Sequence, residues 1–119
     1  MIGLKEIREF AMTLPGVEEG PPAKAARRIA SFKVAGKSFL GIETGEATMT
    51  VSLAEEQARS LSAEDPQAYE EIWRGKRLLG LRVQLSKVSA TRVRELIRNS
   101  RSHTARQRVL DVSKNGQRR

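Results

Sequence analysis

Hydrophobic residues occupy every second position between residues 79 and 85, where small or polar residues separate them. The four hydrophobic residues of this segment are Leu79, Leu81, Val83 and Leu85. A period of two is typical of a strand with one buried face and one solvent-facing face. After Ser89 the period becomes helical and gives one narrow packing stripe. The members of this stripe are Val93, Leu96, Ile97, Ser100 and Thr104. The pattern predicts a strand and then a helix with Ser89 as its N-cap, and we expect the helix to fray between Arg101 and Val109.

The N-terminal part of the chain predicts a helix from Ile2 to Leu14, because its hydrophobic residues share one helical face. These residues are Leu4, Ile7, Phe10, Ala11 and Leu14. Pro15-Gly16 ends this helix, and we expect a loop from Val17 to Lys24. Alternating residues and the glycine-containing turns 35–37 and 44–46 then predict three antiparallel strands that form a meander.

The segment after the meander combines one short helix with an ambiguous stretch. Ser52 and Glu55 have the spacing of a capping box, so a helix is predicted from Leu53 to Leu61. Asp65-Pro66 is typical of a helix start, and residues 69–73 either continue as helix or form a strand that pairs with residues 78–85. The glycine in the link 74–77 suits a hairpin, which favours the strand.

Together these segments predict an α+β fold in the order α-β-β-β-α-β-β-α. About five antiparallel strands form one sheet with the helices packed on one face, which gives two layers. The other face is expected to be open to water because its residues are polar. These residues are Ser31, Lys33, Thr48, Thr50, Arg82 and Gln84. The chain has 119 residues, which suits one domain. We place this domain at residues 1–108 and a basic, flexible tail at residues 109–119.

The formal net charge is +8, and the positive charge is concentrated in the C-terminal part of the chain. Residues 73–119 contain fourteen basic and two acidic residues, whereas residues 51–72 contain one basic and six acidic residues. This asymmetry favours an anionic partner such as nucleic acid, an acidic protein or a membrane surface. The alternative is a basic tail that serves only solubility.

The composition excludes several kinds of chemistry. Without cysteine, the chain has no disulfide, thiolate metal site or cysteine nucleophile. The sequence contains no Ser/His/Asp set and no phosphate-binding loop. The single histidine, His103, lies among arginines, and Glu18 and Glu19 alone are a weak cation site. We therefore expect a protein without enzymatic activity, metal or cofactor. No apolar run reaches the ~20 residues of a membrane span, and the N-terminus lacks the apolar core of a signal peptide, so a cytoplasmic location is expected.

Several motifs together resemble the MmcQ/YjbR family over residues 4 to about 108. The most specific motif is Leu14-Pro15-Gly16-Val17-Glu18-Glu19-Gly20, which follows the first helix. The others are Phe32-Lys33-Val34-Ala35-Gly36-Lys37-Ser38-Phe39, Asp65-Pro66, Leu81-Arg82-Val83-Gln84-Leu85 and Val93-Arg94-Glu95-Leu96-Ile97. The resemblance implies a frataxin-like (CyaY-like) α+β fold. It also implies DNA binding, because members of the family are commonly described as DNA-binding proteins.

The leading hypothesis is therefore non-enzymatic binding of DNA through its phosphate backbone, with no motif for reading a specific base sequence. The candidate residues are Lys33 and Arg82 on the open sheet face, Arg74, Lys76 and Arg77 on the hairpin, and Arg94, Arg98 and Arg101 on one flank of the last helix. Trp73 is a candidate for base stacking, but burial is favoured for it. The alternative hypothesis is a regulatory module that binds an unidentified protein through the open sheet face or an acidic patch. This patch would consist of Glu64, Asp65, Glu70 and Glu71.

Overall fold

The computed structural model describes residues 2–20 and 28–116, with side chains described as far as residue 107. The described part contains three helices, six strands and a 3₁₀ turn at Leu85–Lys87. The helices are α1 (Leu4–Met12), α2 (Glu55–Glu64) and α3 (Ala90–Gly116). The strands are β1 (Val17–Gly20), β2 (Arg28–Val34), β3 (Lys37–Glu43), β4 (Thr48–Ser52), β5 (Tyr69–Arg74) and β6 (Arg77–Gln84). The α+β class is confirmed, and the element order matches the prediction apart from one additional strand.

The six strands form one antiparallel sheet in the order β1-β2-β3-β4-β6-β5. β2, β3 and β4 pair in sequence order, as expected of a meander. After α2 the chain returns as the β5–β6 hairpin, in which β6 pairs with β4 and β5 becomes an edge strand. The ambiguous residues 69–73 are therefore a strand, as the hairpin signal indicates.

β1 is a strand where the sequence predicts a loop. Val17 is buried and pairs with Val34, and Gly20 pairs with Ser31. The predicted loop from Val17 to Lys24 is therefore wrong for residues 17–20, and residues 21–24 lie outside the described residues. A four-residue strand with one buried side chain has too few positions to show a period, so its pairing with β2 decides its structure.

The hydrophobic core lies between the sheet and the helices. α3 packs against β2, β3 and β4, α2 packs against β5 and β6, and α1 packs against α3 and β1. One row of buried cross-strand neighbours consists of Phe32, Leu40, Val51 and Leu81. The helices complete the core with buried residues that include Ile7, Leu61 and Leu96. The helices therefore cover one face of the sheet, and the polar outward residues lie on the other.

A β-bulge in β6 shifts the predicted alternation near the hairpin. Ile72 pairs with Gly80 and Trp73 pairs with Leu78, so Leu79 is an extra residue between two ladder positions. Leu78 takes the inward position and is 6% exposed, whereas Leu79 is 37% exposed. The prediction that Leu79 is buried is therefore wrong, because a bulge exchanges the two faces for the residues beyond it.

The start of α2 also differs from the prediction. Ser52 is the last residue of β4 and pairs with Gly80, while the backbone N–H of Leu53 donates to the carbonyl of Leu79 at 3.1 Å. These hydrogen bonds keep both residues in extended chain, so α2 begins at Glu55 with Ala54 as its N-cap. The predicted capping box and the helix start at Leu53 are therefore wrong.

α3 begins where the sequence predicts and extends further than expected. The Ser89 hydroxyl accepts a hydrogen bond from the backbone N–H of Arg92 at 3.1 Å, which confirms the predicted N-cap. Ser100 and Thr104 are buried and anchor the helix where fraying is expected. The helix continues to Gly116, so the prediction of fraying between residues 101 and 109 is wrong. Residues 117–119 lie outside the described residues, and the domain boundary at residue 108 stays a prediction.

None of the described helices is long and apolar enough to cross a membrane.

Long side chains cover part of the open sheet face. Ser31 and Thr50 are only 3% and 5% exposed, although the sequence predicts that they face solvent. Gly41 lies between them in the sheet, and a β-carbon placed on it would lie 2.7 Å from Nε of Arg28. The Arg28 side chain therefore lies across the face. The predicted exposure is wrong for these two residues because the aliphatic part of a long basic side chain readily packs over small neighbours.

Candidate nucleic-acid interface

The tip of the β5–β6 hairpin carries three of the predicted basic residues. Arg74 and Arg77 pair across the tip, and Gly75 and Lys76 form the two-residue turn between them. Gly75 has a φ of 62°, which lies in the left-handed region that favours glycine. Arg74, Lys76 and Arg77 are all exposed. The turn therefore holds three cations close together at the surface.

The hairpin tip forms one wall of a cavity of about 810 Å³. The other walls are lined by Lys37 at the start of β3, Glu55 at the start of α2 and His103 on α3. The apolar part of the lining consists of Leu53, Leu78 and Leu79. We call this the basic cavity. It joins residues that are far apart in the sequence, because the strand order places the β2–β3 turn and the hairpin tip at the same end of the sheet.

Four cations of the basic cavity have no carboxylate partner in the described part of the chain. They are Lys37, Arg74, Lys76 and Arg77. By contrast, Arg8 pairs with Glu19 at 2.9 Å, and Arg92 pairs with Glu95 at 3.2 Å. Glu55 is the one carboxylate in the lining, and it lies 3.6 Å from Arg59 outside the cavity. The basic cavity therefore carries an excess of positive charge, which attracts anions.

His103 lines the same cavity, and its imidazole is largely uncharged. Burial lowers the pKa of its imidazole below the ordinary value, and the positive charges of Lys37 and Arg106 lower this pKa further. The imidazole is therefore neutral at pH 7 and offers one hydrogen-bond donor and one acceptor. A bound anion would oppose the effect of the two cations and favour the protonated imidazole.

Lys33 and Arg82 lie on the open face of the sheet, on the other side from the helices. The Lys33 side chain crosses the neighbouring strand, because a β-carbon on Gly20 would lie 3.2 Å from its Cε. Arg82 pairs with Glu43 at 2.8 Å and with Glu70 at 3.2 Å. Two carboxylates therefore compensate the charge of Arg82, unlike the charges of the hairpin cations.

Glu43 is the better buried partner of Arg82. Burial raises the pKa of its carboxyl group, but the hydrogen bonds from Arg82 and Thr48 outweigh this effect, so the pKa lies below its ordinary value of 4.5. Thr48 donates to Glu43 at 2.6 Å and the Arg82 Nε donates at 2.8 Å. Glu43, Thr48 and Arg82 thus join β3, β4 and β6 on the open face through an ordinary structural network of hydrogen bonds.

Arg94, Arg98 and Arg101 lie on the flank of α3 that faces α1. The Arg98 guanidinium lies 5.6 Å from the centre of the Phe10 ring, and the Arg101 Nε donates to the carbonyl of Pro15 at 3.0 Å. Arg94 is exposed. The eight predicted residues thus form three separate groups, and the structure does not bring these groups into one surface.

Trp73 lies on β5 directly before the hairpin cations. It is 43% exposed, so the prediction that favours its burial is wrong. The Arg59 guanidinium lies 5.3 Å from the centre of the ring, and the indole N–H donates to Glu71 at 3.1 Å. The ring therefore packs against the surface of α2 instead of entering the core.

Comparison with known proteins decides the family. A model of the YjbR family matches residues 12–103, which is most of the chain. The chain belongs to the YjbR family. No curated protein and no solved structure gives a significant match. The resemblance that the motifs indicate is therefore confirmed, and the matched range of this YjbR protein includes the hairpin tip, Lys37 and His103.

Two residues of the basic cavity in this YjbR protein, Lys37 and His103, are absent from the predicted set. Lys37 follows a glycine turn and His103 occupies the flank of α3 away from the predicted arginines. The positive charge of Lys37 is visible in the sequence, but the closeness of Lys37 to the hairpin depends on the strand order. Within the described residues, no three histidine, aspartate or glutamate side chains come together as a metal site.

Proposed function

We propose that this YjbR protein binds DNA without catalysing a reaction, and that the hairpin tip and Lys37 contact the phosphate backbone. The observation that carries the proposal is the group of four cations around the basic cavity that lack carboxylate partners among the described residues. Lysine and arginine neutralise phosphates and release condensed counterions, and this contribution does not depend on base sequence.

The proposal favours the hairpin group over the other two predicted groups. Arg82 already interacts with two carboxylates, and a phosphate would have to compete with both. Arg98 and Arg101 make intramolecular contacts with α1 and the turn that follows it. The hairpin cations and Lys37 are exposed and make no such contact, so a phosphate can approach them without breaking an existing interaction.

Fluorescence anisotropy with labelled single-stranded and duplex DNA at several salt concentrations tests this proposal. The logarithm of the binding constant should fall linearly with the logarithm of the salt concentration, with a slope of about −0.7 to −0.9 for each phosphate contact. The triple variant Arg74→Gln/Lys76→Gln/Arg77→Gln should bind more weakly and show a slope that is smaller in magnitude by about two to three.

The variant Arg94→Gln/Arg98→Gln/Arg101→Gln is the matched control, because it removes the same charge from the flank of α3. It should retain most of the affinity and the salt slope of the wild type. Loss of affinity in this variant alone, with the hairpin variant unchanged and both variants folded, would place the interface on α3 and overturn the proposed site. Absence of salt-dependent binding in the wild type would overturn DNA binding itself.

A further inference from the structure

The lining of the basic cavity is chemically mixed. The cations lie on the hairpin tip and at the start of β3, whereas Leu53, Leu78 and Leu79 supply an apolar wall. The bulge in β6 turns Leu79 outward, and its side chain is 37% exposed. A phosphate alone would leave this leucine in contact with water. A ligand that combines an anionic group with an apolar surface would contact both parts of the lining.

The cavity also contains uncharged polar side chains that are available for hydrogen bonds. Ser52, His103 and Gln107 reach it, and none of the three uses its side chain in a hydrogen bond to another described residue. A glutamine amide can donate and accept, and so can a neutral imidazole. The edge of a nucleobase carries both donors and acceptors, so these side chains match its chemistry.

The size of the cavity agrees with this chemistry. Its volume of about 810 Å³ lies in the range of roughly 300–1,000 Å³ that is usual for sites of small organic ligands. A single phosphate group would occupy only a small part of this space. In duplex DNA the base faces are stacked and the Watson–Crick edges are paired, so a duplex cannot place a whole base in the cavity and presents mainly its phosphates to the hairpin.

From these observations we infer that the basic cavity receives one unpaired nucleotide of single-stranded DNA, with its base against Leu79 and its phosphate at the hairpin cations. The inference rests on the proposed function and adds to it a preference for unpaired bases. The cavity supplies an apolar contact, hydrogen-bonding groups and cations in one place, and an unpaired nucleotide offers a complementary group to each.

The test compares three labelled probes. They are an oligothymidylate of fifteen nucleotides, a single strand of fifteen abasic nucleotides and a duplex of fifteen base pairs. The wild type should bind oligothymidylate about fivefold more tightly than the abasic oligomer, since both single strands carry the same phosphates. Leu79→Ser should lower the affinity for oligothymidylate by about fivefold and leave the affinities for the abasic oligomer and the duplex unchanged.

Met12→Ser is the matched control, because Met12 is another exposed apolar side chain, 46% exposed, and lies on α1 away from the cavity. It should leave all three affinities unchanged, and thermal unfolding should show that both variants fold. Equal binding of oligothymidylate and the abasic oligomer by the wild type would overturn the inference even if Leu79→Ser fails to fold, and would leave phosphate binding at the hairpin standing. Failure of all three probes to bind would overturn the proposed function and the inference together.

Discussion

At the scale of single residues, two buried hydroxyl groups differ in how well the fold satisfies them. Ser100 is fully buried, and its hydroxyl donates to the carbonyl of Phe39 at 2.9 Å, which ties α3 to β3. Thr50 is 5% exposed, and its Oγ1 is buried without a hydrogen-bond partner in the described part of the chain. A buried polar group without a partner lowers stability, whereas a satisfied one contributes to it.

We predict opposite effects when each hydroxyl is removed. Thr50→Val keeps the β-branched shape and removes an unsatisfied group, so the free energy of unfolding should rise by about 1 kcal/mol. Ser100→Ala leaves the Phe39 carbonyl without its donor, so the free energy of unfolding should fall by about 1–2 kcal/mol. Urea denaturation of the two variants measures both changes. A loss of stability in Thr50→Val would show that this hydroxyl has a partner.

At the scale of elements, the network of Glu43, Thr48 and Arg82 joins three strands on the open sheet face. The pKa of Glu43 lies below its ordinary value of 4.5, so the folded state favours the ionised carboxylate more than the unfolded state does. The stability that results is complete above about pH 4.5 and is lost as the pH falls through the lower pKa of the folded state.

Glu43→Gln should therefore lower the free energy of unfolding by about 1 kcal/mol at pH 7. The difference from the wild type should shrink as the pH falls below 4.5, because the wild-type carboxylate becomes protonated. Glu70→Gln is the control, since its side chain is 62% exposed and also pairs with Arg82, and it should change stability by only a few tenths of a kcal/mol. Urea denaturation between pH 3 and pH 7 measures these changes, and a difference that does not depend on pH would contradict the role of the ionised carboxylate.

The sequence predicts the elements well where their periods are long or their turns distinctive. The alternation of Leu81 and Val83 and the glycine turn before them indicate the β5–β6 hairpin, and Ser89 marks the start of α3. β1 is too short to show a period. The position of Leu79 depends on one extra residue in the ladder, and an alternating pattern contains no signal for such a bulge.

The candidate site is less accessible to sequence reasoning than the fold. The charge of the hairpin residues Arg74, Lys76 and Arg77 is visible in the sequence. Their closeness to Lys37 and His103 is not, because it follows from the insertion of β6 between β4 and β5. The intramolecular contacts of Arg98 and Arg101 likewise depend on how α1 packs on α3, and no local pattern shows them.

At the scale of the whole molecule, the basic cavity couples charge from several elements to the protonation of His103. The two charged groups that act on its imidazole are Lys37 at the start of β3 and Arg106 on α3. The carboxylate of Glu55 at the start of α2 lines the same cavity. The hairpin cations that line the same cavity are Arg74, Lys76 and Arg77. Burial lowers the pKa of His103, and the positive charges of Lys37 and Arg106 lower it further. A bound phosphate adds negative charge and should raise this pKa, so DNA binding should be accompanied by proton uptake.

The affinity for DNA should therefore rise as the pH falls from 7.5 to 5.5, by no more than about tenfold for each pH unit, because one proton is taken up. His103→Gln should remove this rise. Anisotropy titrations at constant ionic strength measure the effect. A pH profile that is the same in His103→Gln and the wild type would contradict the coupling.

Protonation of His103 favours DNA binding, but it lowers the stability of the protein without DNA. Because the pKa in the folded state is lowered, the unfolded state binds the proton more readily below about pH 6.5, and stability falls with the pH. Thermal unfolding measured at each pH is therefore the control that checks whether the protein stays folded during the titrations.

The exposed edge of β5 has a consequence for how copies of the molecule meet. An edge strand offers unpaired backbone groups to which another chain can add a strand. Here the edge strand carries the consecutive residues Glu70 and Glu71. Two such edges brought together in antiparallel register would place these carboxylates opposite each other, and like charges in that arrangement repel. The charge of this edge therefore disfavours growth of the sheet by addition of a second copy of the chain.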